Sequence, residues 1–345
     1  MTGNISAYAQ TVENYFEKGL TDGLPVVPPY PEAVEKMIAA SGRPSEEVLG
    51  TVPPSYSPLT IETVAVNAVM AGCLPEYMPV IVAALEAMLD PKYNWVWPAC
   101  SLKGVAPLII VNGPIRHQLG INCKGNLFGP GFRANATIGR AIRLIILNVG
   151  GSKPQQLDKS TFGHPGKYSY VIGEDEEGSP WSPFHVEHGF MPEESIVTVA
   201  ACDSLKQISN FSPHAGAEGI LLTIVDAMSI LNNFSITGPS EAFLIISPEH
   251  RQTLVEAGYD KEKIREFIIE RCGRTAGEIR RVGKGKEDYI WFEEDVSDDT
   301  WIPMFKAKED IKIISAGGDA GRFTVVIDGR VSPVHSQVVM KKIKV

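Results

Sequence analysis

Acidic and imidazole side chains crowd into one stretch of this chain: Glu174, Asp175, Glu176 and Glu177, then His185, Glu187 and His188 beyond Trp181. Carboxylates just past an apolar run, followed by a Trp/His-rich turn, suit general acid/base work or the holding of a divalent metal. His185, Glu187 and His188 match neither the HExxH nor a zinc-finger spacing, so a solvated acidic loop with an aromatic anchor stands as the alternative.

A second block, residues 120–140, is rich in glycine and carries Asn122, Arg133, Asn135, Thr137 and Arg140. Glycine lets the backbone come close to a ligand, and Asn135 or Thr137 could cap a following helix whose first amides suit a carboxylate or phosphate. Arg133 and Arg140 would add charge. The pattern is neither a P-loop nor a dinucleotide fingerprint, and a long loop capping a core helix would look the same.

Three further places could do chemistry. His250 follows an apolar run at a strand-to-helix junction, where open α/β sheets present functional residues, with Glu249 beside it; a capping histidine is the plain alternative. Cys73 lies in an apolar helix break, where a thiol at a helix N-terminus could act as a nucleophile or could be a small core residue. Gly317 and Gly318 sit in a turn that could form an anion-binding nest, with His335-Ser336-Gln337 near the same end.

The elements around these residues read as mixed α/β. Helical periodicity covers 32–40, 60–71, 78–88 and 220–228, while buried strands are expected at 108–111, 168–173, 195–201, 243–246, 311–314 and 323–327. Helix, apolar strand, proline turn, short helix and glycine recur around 108–120 and 243–258, which points to an internal pseudo-duplication. The expected architecture is a mixed sheet with helices packed on it. It divides into an N-terminal capping segment (1–58), a first α/β half (59–165), a second half (166–306) and a β-rich closing segment (307–345), which could all form one domain.

Composition narrows the function classes. A formal net charge of −9 over 345 residues, with basic clusters only near 280–286 and 341–342, argues against nucleic acid. No apolar run reaches the roughly 18 residues that span a bilayer, and the N-terminus lacks a signal-peptide pattern, so a cytoplasmic, non-membrane chain is expected. Five scattered cysteines without a CxxC pair read as reduced thiols.

The run Leu20-Thr21-Asp22-Gly23-Leu24-Pro25-Val26-Val27-Pro28-Pro29 and the run Asn67-Ala68-Val69-Met70-Ala71-Gly72-Cys73-Leu74-Pro75-Glu76-Tyr77 accompany the 133–140 and 174–190 blocks. Together they resemble a poorly characterised bacterial family whose members are associated with, or fused to, domains carrying a UGSC or CGSC selenocysteine/cysteine motif. No Cys-Gly-Ser-Cys occurs in this sequence, so the resemblance implies a thiol- or selenol-linked reaction with a separate redox partner.

The leading expectation is an enzyme for a small carboxylate- or phosphate-bearing metabolite. Arg133, Asn135 and Arg140 would bind it, helped by Asn122, Thr137, Gly317 and Gly318, while Glu174, His185 or His250 moves protons. The loops 120–140 and 174–188 are expected to converge on one cleft, in a chain expected to form a homo-oligomer. The cofactor is unknown, with a divalent metal an option. The alternative is a non-catalytic component of a redox or metal-handling complex that presents Cys73 or the His185-to-His188 turn.

Overall fold

The computed structural model describes residues 2–344 apart from 213, 232–240, 282–295 and 330–335, so the expected role of His335 and much of the 280–286 basic cluster lie outside the described residues. In chain order the elements are α1 (Thr2–Glu17), α2 (Pro31–Ser41), β1 (Val48–Val52), β2 (Ser57–Thr60), α3 (Ile61–Ala71), α4 (Met78–Leu89), α5 (Val96–Ala99), β3 (Ala106–Asn112), α6 (Ile115–Leu119) and α7 (Arg133–Asn148). Then come β4 (Val171–Gly173), α8 (Phe184–Glu187), β5 (Ile196–Ser209), α9 (Gly216–Leu231), β6 (Ala242–Ile246), α10 (Pro248–Glu256) and α11 (Lys261–Arg271). The chain closes with β7 (Gly273–Thr275), α12 (Ala276–Arg281), β8 (Trp301–Pro303), β9 (Ile311–Ser315), β10 (Phe323–Gly329) and β11 (Val339–Lys342).

Local chemistry sets several boundaries. Thr60 accepts from the Thr63 amide and starts α3, and Gly72 in the left-handed region ends it. Asp260 caps α11 in the same way through the Lys263 amide. One expectation fails here: α7 begins at Arg133, so Asn135 and Thr137 lie inside the helix instead of capping it, and Phe132 at the N-cap makes no side-chain cap bond.

The main sheet is mixed, in the order β4-β3-β5-β10-β6-β9, with β11 also paired to β5. β3 runs parallel to β4 and antiparallel to β5; β6 runs parallel to β9 and antiparallel to β10. The unit strand, two helices, parallel strand, antiparallel strand therefore occurs twice once α8 in the first copy and β7, α12 and β8 in the second are set aside as insertions, and the copies join where β5 pairs with β10. The long β5 serves both halves, its first part pairing with β3 and its last part with β10.

Strand pairing redraws the expected divisions. β4 and the start of β5 complete the first half instead of opening the second, and β9 and β10 complete the second half instead of forming a separate closing segment. Hydrogen bonds between strands far apart in sequence decide this, and hydrophobic patterning does not carry it.

The sheet curls until its edge strands meet, with the Asp175 amide just past β4 donating to the Ser315 carbonyl at the end of β9, 2.6 Å away. Alternation along the strands separates the cores. Leu108, Ile110, Ala200, Phe243, Ile245, Ile314 and Ile327 point into a common interior. The intervening Ile109, Val111 and Val199 pack under α3, α4 and α7, while Leu244, Ile246, Ile313 and Val326 pack under α9 and α11. Among the described residues no helix is long and apolar enough to cross a membrane.

Candidate functional site

The chemistry gathers where β3, β4, β6 and β9 end, the side on which open α/β sheets bind ligands. β3 ends at Asn112, and the chain turns at Gly113 with φ of +82°, where a Cβ would lie 2.1 Å from the Glu194 carbonyl oxygen. Only glycine fits that turn. It lets α6 carry Arg116 back under the strand end, donating from Nε to the Gly113 carbonyl (3.0 Å) and from Nη1 to the Glu174 carbonyl (2.5 Å). Its Nη2 also pairs with Glu176 and Glu177 at 3.0 and 2.9 Å.

The second half repeats the device. β6 ends before Ser247, and Arg251 on α10 donates from Nη1 to Ser315 Oγ (2.6 Å) and Asp175 Oδ2 (3.2 Å), and from Nη2 to the Gly178 carbonyl. Asp175 is buried and also receives Lys124 Nζ at 2.6 Å. The segment after β4 is thus clamped by one arginine from each half.

Glu174 is fully enclosed. Its Oε2 accepts from Asn112 Nδ2 and the Phe184 amide, both at 2.7 Å, and Lys261 Nζ stands 3.6 Å from Oε1. Burial raises its pKa, with Lys261 and the two hydrogen bonds opposing that rise. Glu177, at the rim, goes the other way: burial works against it, yet Arg116 and His117 hold its carboxyl down to about 2.

His185 is buried beside this network, 4.0 Å from Glu176, and neither of its ring nitrogens has a hydrogen-bond partner. Glu187 is taken up by Lys261 (2.8 Å) and Arg265 (3.2 Å), and His188 Nδ1 bonds to the Phe184 carbonyl. The three residues suggested as metal ligands therefore do not converge: Glu187 and His188 turn to different partners and His185 has no hydrogen-bond partner. Among the described residues no group of three His, Cys, Asp or Glu side chains is arranged to hold a metal ion.

The open space lies next to this network. A cleft of about 430 Å³ runs between the turn at Gly125, Asn126 and Gly129 and the turn at Gly317, Gly318 and Gly321, with Ser247 and Thr324 also on its wall. The two turns touch: a Cβ on Gly318 would lie 3.2 Å from the Gly125 Cα, and the Gly317 amide donates to the Cys123 carbonyl. Behind the wall His250 Nδ1 is 2.9 Å from Thr324 Oγ1. Burial lowers the His250 pKa, which favours the neutral imidazole.

The loops 120–140 and 174–188 do meet, through Lys124 and Asp175 and through the Gly173 amide on the Asn122 carbonyl. The cleft's opposite wall, however, is the 316–321 turn. His250 bonds to Thr324, and the carboxylate that reaches α10 is Asp175 through Arg251, not Glu174.

The other expected ligand-binding residues are engaged in the fold. Asn135 accepts from the Asn122 amide and donates to the Asn122 and Val171 carbonyls, while Asn122 shapes the turn through the Gly125 carbonyl and the Lys124 amide. Thr137 bonds back to the Arg133 carbonyl, and Arg133 Nε to that of Gly72. Arg140 makes a two-point pair with Asp22 and also donates to the Leu24 and Pro25 carbonyls, so it anchors the 20–29 run. Cys73 is buried, donates to the Thr137 carbonyl, and has its pKa pushed up by burial to about 12, which disfavours the thiolate needed for nucleophilic attack.

Asn112, Arg116, Lys124, Arg251 and Lys261 carry much of the charge network with Asp175 and escaped the sequence reading, which named Asp175 only within the acidic stretch. A signal existed, since Arg116 follows Asn112 and Arg251 follows Ser247 by the same interval at the matching ends of the duplicated strands. Neither a comparison with protein-family models nor one with curated proteins finds a match to this chain.

Proposed function

We propose that the protein is an enzyme that binds a small carboxylate- or phosphate-bearing metabolite in the glycine-walled cleft and acts on it by general acid/base chemistry. The observation that carries this reading is the meeting of Gly125 and Gly318, turns from different halves of the molecule, at a wall behind which Thr324 holds His250. Glycine walls let main chain approach an anion closely, and Lys124 beside Gly125 supplies charge at the rim. Thr324 Oγ1 holds His250 on the face of β10 turned away from the cleft, and an imidazole, which titrates near neutrality, suits proton transfer. Glu174, shut away behind Asn112 and Phe184, serves to hold the strand ends. Buried Cys73 gives no support to the alternative of a thiol-presenting redox component. A cytoplasmic, self-associating enzyme for a free metabolite belongs to the same reading.

Calorimetric titration with inorganic phosphate and with short mono- and dicarboxylates tests it, using wild type and Ala320→Phe. Ala320 is exposed on the cleft wall, so the phenyl ring obstructs the cleft without disturbing the core. Binding to wild type and its loss in Ala320→Phe at unchanged melting temperature is the expected result. Equal binding to both proteins removes this cleft as the site.

A further inference from the structure

We propose that a second cleft, independent of the first, binds a small monocarboxylate with an apolar or aromatic body. The space, about 750 Å³, lies between the Thr21-Asp22-Gly23 turn, α7 at Arg143 and Leu147, and the segment 154–168, and shares no lining residue with the glycine-walled cleft. Its volume falls in the range of small-molecule pockets.

Asp158 organises the polar end. Its buried carboxylate accepts from Lys167 on both oxygens (2.8 and 2.6 Å), from Ser160 Oγ (2.6 Å) and from Arg143 Nη2 (3.1 Å). Lys167 spends its remaining proton on Ser160 Oγ. Arg143 is different: among the described residues that single bond to Asp158 is its only hydrogen bond, so most of a five-donor guanidinium fork remains for a ligand. A water-sized cavity of about 20 Å³ lies against Arg143, Asp158 and Lys167 on the side of Tyr93 and Trp95.

Charge and shape select the ligand. Asp22 is neutralised by its two-point pair with Arg140, and Asp158 is shared between Lys167 and Arg143, which leaves one positive charge in surplus. A planar carboxylate matches one guanidinium edge and one surplus charge, whereas a phosphate dianion would bring an uncompensated charge beside Asp158. The remaining walls join Thr21, Gln155 and His164 to an apolar set of Leu147, Pro154, Pro165, the half-exposed Tyr168, and Phe162, which is 97% exposed. A phenyl ring left in water at the mouth of a cleft gains by covering an apolar ligand.

The test uses 4-fluorophenylacetate as the probe on the full chain, followed by fluorine NMR line broadening. Wild type is expected to bind it, with phenylacetamide and inorganic phosphate unable to compete. Arg143→Gln and Phe162→Ala should each weaken binding by roughly tenfold or more, as loss of a charged hydrogen-bond partner or of apolar cover implies. Phe162→Ala removes only exposed surface, so it cannot fail through misfolding, and Ala320→Phe should leave this affinity unchanged. Absence of probe binding to wild type, equal binding to Phe162→Ala, or displacement by phosphate would overturn the proposal.

Discussion

Arg116 and Arg251 stand at matching positions in the two halves, each on the helix after its strand and each turned back to hold the segment that follows β4. Arg251 is buried with Asp175, so Arg251→Met strands a carboxylate with only the rim lysine Lys124 beside it. The expected cost is about 3–5 kcal/mol, the range for breaking a buried pair. Urea unfolding measures it, and adding Asp175→Asn to the same protein should restore part of the loss.

His185 has the opposite expectation. A buried imidazole with no hydrogen-bond partner, and only Glu176 4.0 Å away, recovers little of its desolvation cost, so an apolar side chain of similar volume should do little harm. His185→Leu is expected to leave stability unchanged or raise it by about 1 kcal/mol. A fall of several degrees in melting temperature would show that the ring is needed in polar form.

Stability should decline on acidification in two stages. Burial lowers the pKa of His164, His188 and His250, so the unfolded chain takes up protons near the ordinary value of 6.5 while the fold resists them. The contribution of these three groups is then full above that pH and falls below it, with a slope of at most about 1.4 kcal/mol per pH unit for each group, while Glu174, whose pKa burial raises, works in the opposite sense. Glu177 acts lower: its depressed pKa adds stability that is lost as pH falls from 4.5 towards about 2. Denaturant midpoints against pH read both stages, and a flat profile between pH 7 and 5 would contradict the histidine assignment.

Thiol labelling should separate the cysteines by burial. Cys73, Cys123, Cys202 and Cys272 are buried, whereas Cys100 is half-buried, and burial raises the pKa of all five. Iodoacetamide at pH 8 should modify Cys100 first and reach the other four only as the protein unfolds. Mass spectrometry of timed samples would show it, and early modification of Cys73 would reopen a nucleophilic role.

The sequence determined the elements because their signals are local. Apolar runs at 108–111 and 243–246 could only be buried strands, Gly72 and Gly120 end helices where the left-handed conformation is needed, and the recurring strand-turn-helix order disclosed the duplication. What a polar side chain does is set by its surroundings, and those come from far along the chain. Arg140 looks like an anion clamp until Asp22 closes on it, and Asn135 like a helix cap until the 120s loop folds against it. Asp158, Arg143 and Lys167, unremarkable where they stand in sequence, become one charged floor only when α7 packs beside the 154–168 segment. The curl that brings Ser315 to Asp175, and Gly318 to Gly125, rests on pairing between distant strands; no local pattern encodes it, and tertiary structure alone decided where the clefts lie.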